Sequence, residues 1–445
     1  MSDASQPLTL RERFIRTATW HGDLAEAEAM LAADPTLANA DIHLAAITGD
    51  ADAVARFLAA DPASVHERTG PYGADALNLL GLSRYLRLHT ERTPAFVRAA
   101  TLLLDAGANP NTGFWTAPPH PEFETALYGA AGVAHNAEVT ALLLERGADP
   151  NDGEVAYHAP ETYDNRVLEL LVQTGKLTQE SLAVMLVRKC DWHDEDGLRY
   201  LLAHGADPNG ARKRGWYALH HAIQRDNGFD MIAALLDAGA DPLLAKHGRS
   251  ALAVAAWCGR ADVLTELAAR GTDMTTLEGA DALVAACALG DTPLALEMAA
   301  ASSEALAELQ AMEGTALARF ACSGNVAGIR ALLDVGLAVD ARFTTGDAYW
   351  DIAPGSLALH VAAWRGHAAV VQLLLERGSP ADLPDAKGRT PLMLAIKAAT
   401  DSYWTSRRSP DAVRMLLAAG ADASRAPFPC GYDEVDALLR SAGRA

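Results

Sequence analysis

A short motif recurs along this chain: a Leu-Leu pair, two or three residues, and then Gly-Ala-Asp or Gly-Ala-Asn, usually followed by Pro. Gly205 precedes Gly239 by 34 residues, and Gly239 precedes Gly271 by 32. The next copy, at Gly336, follows after 65 residues, which is about two periods. A fixed period of this length predicts a solenoid, in which each unit buries its apolar face only against its neighbours. The motif stands at Leu102–Asn111, Leu142–Asn151, Leu201–Asn209 and Leu235–Pro242, and in altered form at Leu332–Asp340, Leu373–Pro380 and Leu416–Asp422.

One copy indicates how a single repeat is built. An apolar stretch, Leu359–Ala363, predicts a short helix that ends at Gly366, and Val370–Leu375 predicts a second helix that ends at Gly378. Glycine after the last leucine suits a left-handed C-terminal cap, because it has no Cβ to clash. The stretch Asp385–Pro391 is rich in turn residues and places Pro at the start of the next helix.

These residues resemble the ankyrin repeat, whose pattern is a turn, Thr-Pro-Leu-His, a short helix ending in Gly, a second helix, and Leu-Leu-x-x-Gly-Ala-Asp. The resemblance extends over nearly the whole chain and implies an all-α ankyrin-repeat solenoid of helix pairs with short β-hairpin fingers. The first box of the pattern appears at Asp41–His43, Thr125–Tyr128, Tyr217–His220, Thr315–Ala318, Leu357–His360 and Thr390–Met393.

We predict about twelve units in one continuous array over residues 1–445, because no linker rich in Gly, Ser or Pro divides it. Residues 1–12 are expected to form an N-terminal tail, and residues 425–445 to contain a C-terminal capping helix at Asp433–Ser441. Asp-Pro replaces the Gly-Ala-Asp ending after the first two units, so a different helix cap is expected there. The predicted units start near Arg13, Asp41, Asp75, Thr125, Glu154, Glu180, Tyr217, Ser250, Asp281, Thr315, Leu357 and Thr390.

The charge and the cysteines exclude several classes of function. The formal net charge is −20, which disfavours nucleic acid and anionic membranes as partners and would suit a basic protein. The start of the chain lacks an apolar signal segment, and no stretch approaches 18 uninterrupted apolar residues, so we expect neither export nor membrane insertion. Five scattered cysteines are expected to be reduced thiols of a cytoplasmic protein. Arg strongly outnumbers Lys, which is typical of a GC-rich, bacterial-type genome.

Departures from the repeat period are the candidate binding features, because insertions in repeat proteins gather in loops, often on one face. Three are predicted between units, at the positions of hairpin fingers: Thr112–Phe123, Glu154–Asp164 and Ala341–Gly355. Two more, Gly81–Phe96 and Ala399–Asp411, separate the helices within a unit. Pro160 is expected to shorten the first helix of its unit.

Aromatic residues concentrate in these insertions and at helix ends. Tryptophan is common at interface hot spots, because it buries a large area at low entropic cost. Trp20, Trp257 and Trp364 share one position in the repeat and are expected to pack within it. The residues predicted to contact a partner are Phe114, Trp115, His120, Tyr157, His158, Trp192, Trp216, Tyr217, Phe343, Tyr349, Trp350, Tyr403 and Trp404.

Other polar residues have a structural interpretation. The resemblance implies that His43, His220 and His360 fix turns by hydrogen bonds. The cluster Cys190–Asp196 could supply metal ligands, but its spacing matches no zinc pattern. Asp194 or Glu195 would serve there as a helix N-cap.

The resemblance implies a protein–protein interaction scaffold that binds its partner through a concave face of fingers and first helices. We expect a monomer without a cofactor, and an immunity or inhibitor protein against a basic toxin would fit the acidity. The alternative is an enzyme or a small-molecule or peptide-binding protein with its site in the concave groove. No GxGxxG, P-loop, GxSxG or HExxH motif supports catalysis. The residues available to such a site would be His120, Tyr157, His158, Glu161, Tyr163 and His193.

Overall fold

The computed structural model describes residues 8–211 and 217–444. Contacts within the chain divide it into two compact units, residues 1–218 and 219–445. Both units consist of short helices that follow one another in antiparallel pairs, with a few two-stranded hairpins between pairs. The predicted fold class, an all-α solenoid of helix pairs with short β-hairpin fingers, is confirmed.

Among its described residues, the first unit has one two-stranded antiparallel sheet, a hairpin in which Gly113 pairs with Thr125 and Trp115 with Phe123. A π-helical turn, Gly129–Val133, continues the short helix before it. The helices and strands of this unit are α1 (Leu10–Ala18), α2 (Leu24–Ala33), α3 (Ile42–Thr48), α4 (Ala51–Ala60), α5 (Ala76–Gly81), α6 (Arg84–Leu88), α7 (Thr93–Asp105), β1 (Gly113–Trp115), β2 (Phe123–Thr125), α8 (Ala126–Tyr128), α9 (Ala137–Glu145), α10 (Gly153–His158), α11 (Arg166–Gln173), α12 (Gln179–Asp191) and α13 (Glu195–Ala203).

The second unit contains two hairpins, and its first helix begins at the last residue of the first unit. In the longer hairpin, Arg342 pairs with Leu357 and Phe343 with Ser356. The elements are α14 (Ala218–Gln224), α15 (Phe229–Asp237), β3 (Ala245–Lys246), β4 (Arg249–Ser250), α16 (Ala251–Trp257), α17 (Ala261–Ala269), α18 (Gly279–Ala288), α19 (Thr292–Ala301), α20 (Ser303–Ala311), α21 (Thr315–Ser323), α22 (Val326–Asp334), β5 (Arg342–Phe343), β6 (Ser356–Leu357), α23 (Ala358–Arg365), α24 (Ala368–Glu376), α25 (Pro391–Asp401), α26 (Asp411–Ala418) and α27 (Asp433–Ser441).

The first helix of each pair begins within three residues of a predicted repeat start. Its N-cap is often an Asp, Thr or Ser whose side chain accepts a backbone N–H of the first turn, as Asp41 does for Leu44. Ala and Leu dominate the buried side chains of both units. Small alanines let the short helices approach closely, so the repeat pattern and the packing agree.

The glycine of the recurring motif is required by its backbone conformation. Gly239 and Gly378 have φ of +94° and +85°, and open space surrounds the position that a Cβ would take. An L-residue would be strained there even though no neighbour would clash with it. The first two pairs end differently, as predicted: α2 and α4 are followed by Asp34 and Asp61 with negative φ, and 3-10 helices begin at the next proline.

The histidines of the Thr-Pro-Leu-His box connect successive repeats. Nε2 of His43 lies 2.8 Å from the carbonyl oxygen of Glu67, and Nε2 of His360 lies 3.2 Å from that of Arg389. Nε2 of His220 contacts the carbonyl oxygen of Arg249 at the same 3.2 Å. The predicted structural role of these histidines in fixing turns is confirmed.

Two local predictions need correction. Residues 154–164 do not form a finger: residues Gly153–His158 form α10, capped by Asp152, and this helix ends before Pro160. The shortening of that helix was expected, because proline cannot continue a helix. The predicted tail 1–12 is helical from Leu10, since Thr9 and Glu12 form a capping box that starts α1; residues 1–7 lie outside the described residues. The structure also contains α20, which the repeat period does not predict.

Candidate binding site

Hairpin 113–125 presents two different faces, because successive side chains of a strand point to opposite sides. Phe114 and Glu124 are paired across the two strands and are both buried. Trp115 and Phe123 are paired on the other face, where their ring centroids lie 5.1 Å apart. Trp115 is 67% exposed, so the outer face of this hairpin offers an aromatic pair to the surroundings.

The inner face of the hairpin is held by aromatic contacts to earlier repeats. The ring of Phe114 stacks on Tyr72 at 4.9 Å and meets the edge of Trp20 at 5.7 Å. Nε1 of Trp20 donates a hydrogen bond to the hydroxyl of Tyr128 at 3.1 Å. These contacts fix the hairpin against the body of the first unit, and so fix the direction in which Trp115 points.

A groove lies beside the hairpin, with about 1040 Å³ of open space. Arg68 stands in its wall and donates hydrogen bonds to the carbonyl oxygens of Gly73 (2.7 Å) and Gly113. The groove therefore lies between the aromatic rings of the hairpin and the side chain of Arg68, and these hydrogen bonds hold Arg68 in place. Its lining residues are Val65, His66, Arg68, Tyr72, Gly73, Asp75, Asn109, Asn111, Thr112, Gly113, Phe114, Trp115 and Phe123.

Beneath the hairpin, Glu124 is only 2% exposed, and its Oε2 atom has no hydrogen-bond partner. Burial, together with the nearby acidic groups of Glu154, Glu122 and Asp152, raises the pKa of this carboxyl to about 7. Both effects penalise the charged form. Glu124 is therefore largely protonated below neutral pH.

His158 acts on this carboxyl through its charge and is itself held between two other acids. Its Nδ1 is 2.8 Å from Oε2 of Glu161, and its Nε2 is 3.3 Å from Oε2 of Glu154. Burial alone would lower the pKa of His158, but the hydrogen bonds to these two glutamates raise it to about 9. Arg188 pairs with Glu161 and lies 4.1 Å from the centre of the Tyr157 ring. His158 is thus a cation at neutral pH within a closed network of ion pairs.

Replacing Glu124 with glutamine is expected to stabilise the protein at pH 8 by roughly 2–3 kcal/mol and to change little below pH 4.5. The carboxyl has a pKa of about 7 in the folded state and 4.5 as its ordinary value, so the folded state binds the proton more tightly between these pH values. Stability of the natural protein therefore falls as pH rises through this window, whereas the amide cannot ionise. Urea unfolding followed at several pH values measures the difference, with exposed Glu145→Gln as the control. An effect of Glu124→Gln that is the same at pH 4.5 and pH 8 would contradict this assignment.

In the second unit, tryptophans of two insertions and one helix surround a buried arginine. The guanidinium of Arg365 lies 4.1 Å from the ring centre of Trp350 and 3.8 Å from that of Trp404. Nε1 of Trp364 donates a hydrogen bond to the carbonyl oxygen of Trp350 at 2.6 Å. Such cation–π contacts are strongest where water is excluded, and Arg365 is fully buried.

Asp226 is the acidic residue that pairs with Arg365 and with two further arginines. Nη2 of Arg365 donates to Oδ2 of Asp226 at 2.5 Å, and Arg260 and Arg407 approach the same carboxylate at 3.5 and 3.9 Å. Asp226 has a φ of +53°, a left-handed conformation that Asp and Asn adopt more readily than most residues. The tryptophans predicted at the surface thus enclose an ion-pair network.

The structure places the predicted contact residues in three settings. Trp115, His120, Tyr349 and Tyr403 are exposed, and Tyr403 is 91% exposed. Tyr157, His158, Trp192, Tyr217 and Trp404 are half-buried. Phe114, Phe343 and Trp350 are buried, because they pack under their own hairpins; they can affect a partner only through the residues they support. Trp216 lies outside the described residues.

Two further predictions concern packing and metal binding. Trp257 and Trp364 are buried at helix ends, as expected for a shared repeat position, whereas Trp20 is half-buried. In the cluster 190–196, Asp194 caps α13 by accepting the backbone N–H of Gly197 and also binds Lys189. Among the described residues, no three His, Cys, Asp or Glu side chains come together as metal ligands would.

Residues 8–211 and 217–444 contain no helix with both the length and the apolar character needed to cross a bilayer. A family model described as ankyrin repeats (3 copies) matches residues 185–278 and 344–426. The chain is also similar to the E3 ubiquitin-protein ligase KEG of Arabidopsis thaliana, with 26% identity over 247 residues. That alignment covers 50% of this chain and 14% of the ligase. The chain thus spans a small part of that relative's length, and the activity in its name is stated for that protein only.

Proposed function

The chain is an ankyrin-repeat protein, and on that premise we propose that it binds a partner protein through hairpin 113–125 and the groove beside it. Ankyrin repeats generally mediate protein–protein interaction. The observation that carries the choice of surface is that Trp115 is 67% exposed on a hairpin whose opposite face, with Phe114 and Glu124, is buried.

The fixed position of the hairpin side chains before binding supports the choice of this surface. Binding costs free energy when loops and side chains must be ordered, and a ring already held in place avoids part of that cost. Trp115 leans on Phe123, while Phe114 on the opposite face stacks on Tyr72. Arg68 holds the backbone of the hairpin at Gly113. The hairpin can therefore present Trp115 without first having to fold.

The partner is proposed to be a basic protein with an apolar contact point for Trp115. The chain carries a net charge of −20, so a basic surface would be attracted at long range and would associate faster at low salt. An inhibitor or immunity protein acting on a basic toxin is one form that this function can take. The relative whose name describes a ubiquitin-protein ligase acts on proteins, which is compatible with a protein ligand.

Substituting Trp115→Ala in the full chain is expected to weaken partner binding by about 2 kcal/mol, or roughly 30-fold in Kd. The partner is first captured from the native cell with the unmodified chain and identified, and its Kd is then measured by surface plasmon resonance at two salt concentrations. The stability of the variant should change little, because the Trp115 ring is mostly solvated.

Phe229→Ala provides a matched control, since Phe229 is an exposed aromatic residue outside all the insertions. It should leave the Kd unchanged. Equal affinity of the Trp115 and Phe229 variants would contradict the proposed surface, and binding that does not weaken with salt would contradict a basic partner.

A catalytic site is a second candidate, favoured by the carboxyl of Glu124, which has a pKa of about 7 and lies within the electrostatic influence of His158. General acids and bases are often tuned to this range. We rank it second because Glu124 is only 2% exposed, so its carboxyl does not reach a substrate in this structure.

A further inference from the structure

The second unit contains a small pocket between the end of α14, helix α21 and hairpin 342–357, with about 440 Å³ of atom-free space, part of which is open solvent. Part of its wall is apolar and is formed by Ile223, Ala318, Phe343, Trp350 and Ile352. Two arginines, Arg260 and Arg319, and two aspartates, Asp226 and Asp347, also line it. A small apolar pocket that contains a few charged groups has the general character of a ligand site.

Arg260 is buried in this wall and has one unused donor. Its Nε and Nη2 atoms donate to Asp262 at 2.9 and 2.7 Å. Its Nη1 atom lies 3.5 Å from Oδ1 of Asp226 and makes no hydrogen bond. A buried guanidinium donor without an acceptor is unfavourable, so an oxyanion that supplied the acceptor would gain a strong, charge-assisted bond.

Arg319 is the second cation of the pocket, and no carboxylate of the described residues lies within ion-pair distance of it. Its Nη1 atom contacts Sγ of Cys258 at 3.5 Å. Asp347, an acid of the lining, accepts the backbone N–H of Tyr349 at 3.0 Å and acts on Arg319 only through its charge. Among the described residues, Arg319 therefore has no direct carboxylate partner at the pocket wall.

The surroundings of the pocket carry one excess positive charge in an acidic chain. Four arginines, Arg260, Arg319, Arg365 and Arg407, face three aspartates, Asp226, Asp262 and Asp347. His367 is also affected by these positive charges. Its pKa is lowered to about 4, chiefly by burial, and the charges of Arg407 and Arg365 act in the same direction. An anion entering this region would meet favourable potential.

We propose that this pocket binds the carboxylate of a ligand whose adjoining part is small and apolar. Arg260 and Arg319 bind the carboxylate oxygens, and Ile223, Phe343 and Ile352 contact the apolar group. The carboxylate can come from a free short-chain acid or from the C-terminal residue of a polypeptide. The site lies within the second unit and does not depend on the partner surface of the first unit.

Isothermal titration calorimetry of the full chain separates the two sources. The probes are 3-methylbutanoate and the tripeptide Gly-Gly-Leu, with 3-methylbutanamide and the C-terminally amidated tripeptide as uncharged counterparts. Saturable binding of the free acid alone assigns a small-molecule ligand, and binding of the tripeptide with a free C-terminus assigns a polypeptide end. Equal binding of acid and amide, or no saturable binding of either acid, would overturn the proposal.

The variant Arg319→Gln tests the site without breaking an ion pair of the fold. It is expected to weaken binding of whichever acid binds by roughly tenfold or more, because one charge-assisted contact is lost. Arg330→Gln, which changes an exposed arginine of the neighbouring α22, should leave the affinity unchanged. Circular dichroism checks that both variants fold. Arg319→Gln with natural affinity would also overturn the proposal.

Discussion

Replacing Asp226 with asparagine is expected to lower the free energy of unfolding by about 3–5 kcal/mol. Removing one partner of a buried ion pair leaves the other charge uncompensated, which costs more than the pair contributes. Here the remaining charge is Arg365, which is fully buried between the rings of Trp350 and Trp404. Arg260 and Arg407 lose the same acid.

Asparagine is the informative substitution at this position. It keeps the shape of the side chain and tolerates the left-handed backbone, so the loss is assigned to charge and not to strain. Urea unfolding of the full chain, followed by tryptophan fluorescence, measures the effect. The control is Asp237→Asn: Asp237 pairs with Arg270, but its side chain is 64% exposed, so we expect about 1 kcal/mol or less. A loss for Asp226→Asn as small as that of the control would contradict the burial argument.

Lys189→Met is expected to destabilise the first unit by a similar amount, about 3–5 kcal/mol. The ammonium group of Lys189 is fully buried and donates to Oδ2 of Asp194 at 2.6 Å and to the carbonyl oxygen of Thr162 at 2.8 Å. Methionine fills a similar volume but leaves both acceptors without the charged donor. The carboxylate of Asp194, itself 6% exposed, would then lack its counter-ion.

A double substitution distinguishes the loss of charge from the loss of packing. Asp194→Asn keeps an oxygen for the N-cap of α13 but removes the negative charge. If the buried charge is the cause, Lys189→Met combined with Asp194→Asn should be more stable than Lys189→Met alone. The unfolding free energies of the two single variants and the double variant, measured under one set of conditions, decide this. Additive losses would indicate that the two side chains act independently.

Most of the fold could be predicted from the sequence, because its signals are local. A helix of this type is defined by a polar N-cap, a short apolar stretch and a glycine, all within about a dozen residues. α16 shows all three, with the N-cap Ser250, an apolar run that ends at Trp257, and Gly259 at positive φ. The shortened helix expected near Glu154 also had such a signal, because Asp152 before Gly153 and Glu154 is its N-cap; only the finger predicted over the same residues was wrong.

The candidate sites were less predictable, since their decisive contacts join residues far apart in the chain. Phe114 and Trp115 looked equivalent in the sequence, although strand alternation alone implies that only one of them faces outward. Nothing in the sequence signals that Arg365 reaches Asp226, 139 residues earlier. Nor does it show that Glu124 is covered, because its burial depends on Phe114 and on helices of other repeats. Strand alternation could have shown that one of the two rings faces outward, but no sequence pattern predicts the buried ion pairs.

The pair formed by Arg365 and Asp226 has a consequence for how the second unit unfolds. In an array whose units touch only their neighbours, stability is a sum of separate unit and interface contributions, and the ends can fray independently. This ion pair joins α23 to the loop after α14, with the eight helices α15 to α22 between them along the chain. Unfolding of α23 or of the loop after α14 must separate this buried charge pair, so opening at either place costs more than the loss of neighbouring contacts alone. The ion pair thus couples two parts of the second unit that are distant in the chain. It favours all-or-none unfolding, whereas a repeat array without such a contact can unfold one unit at a time.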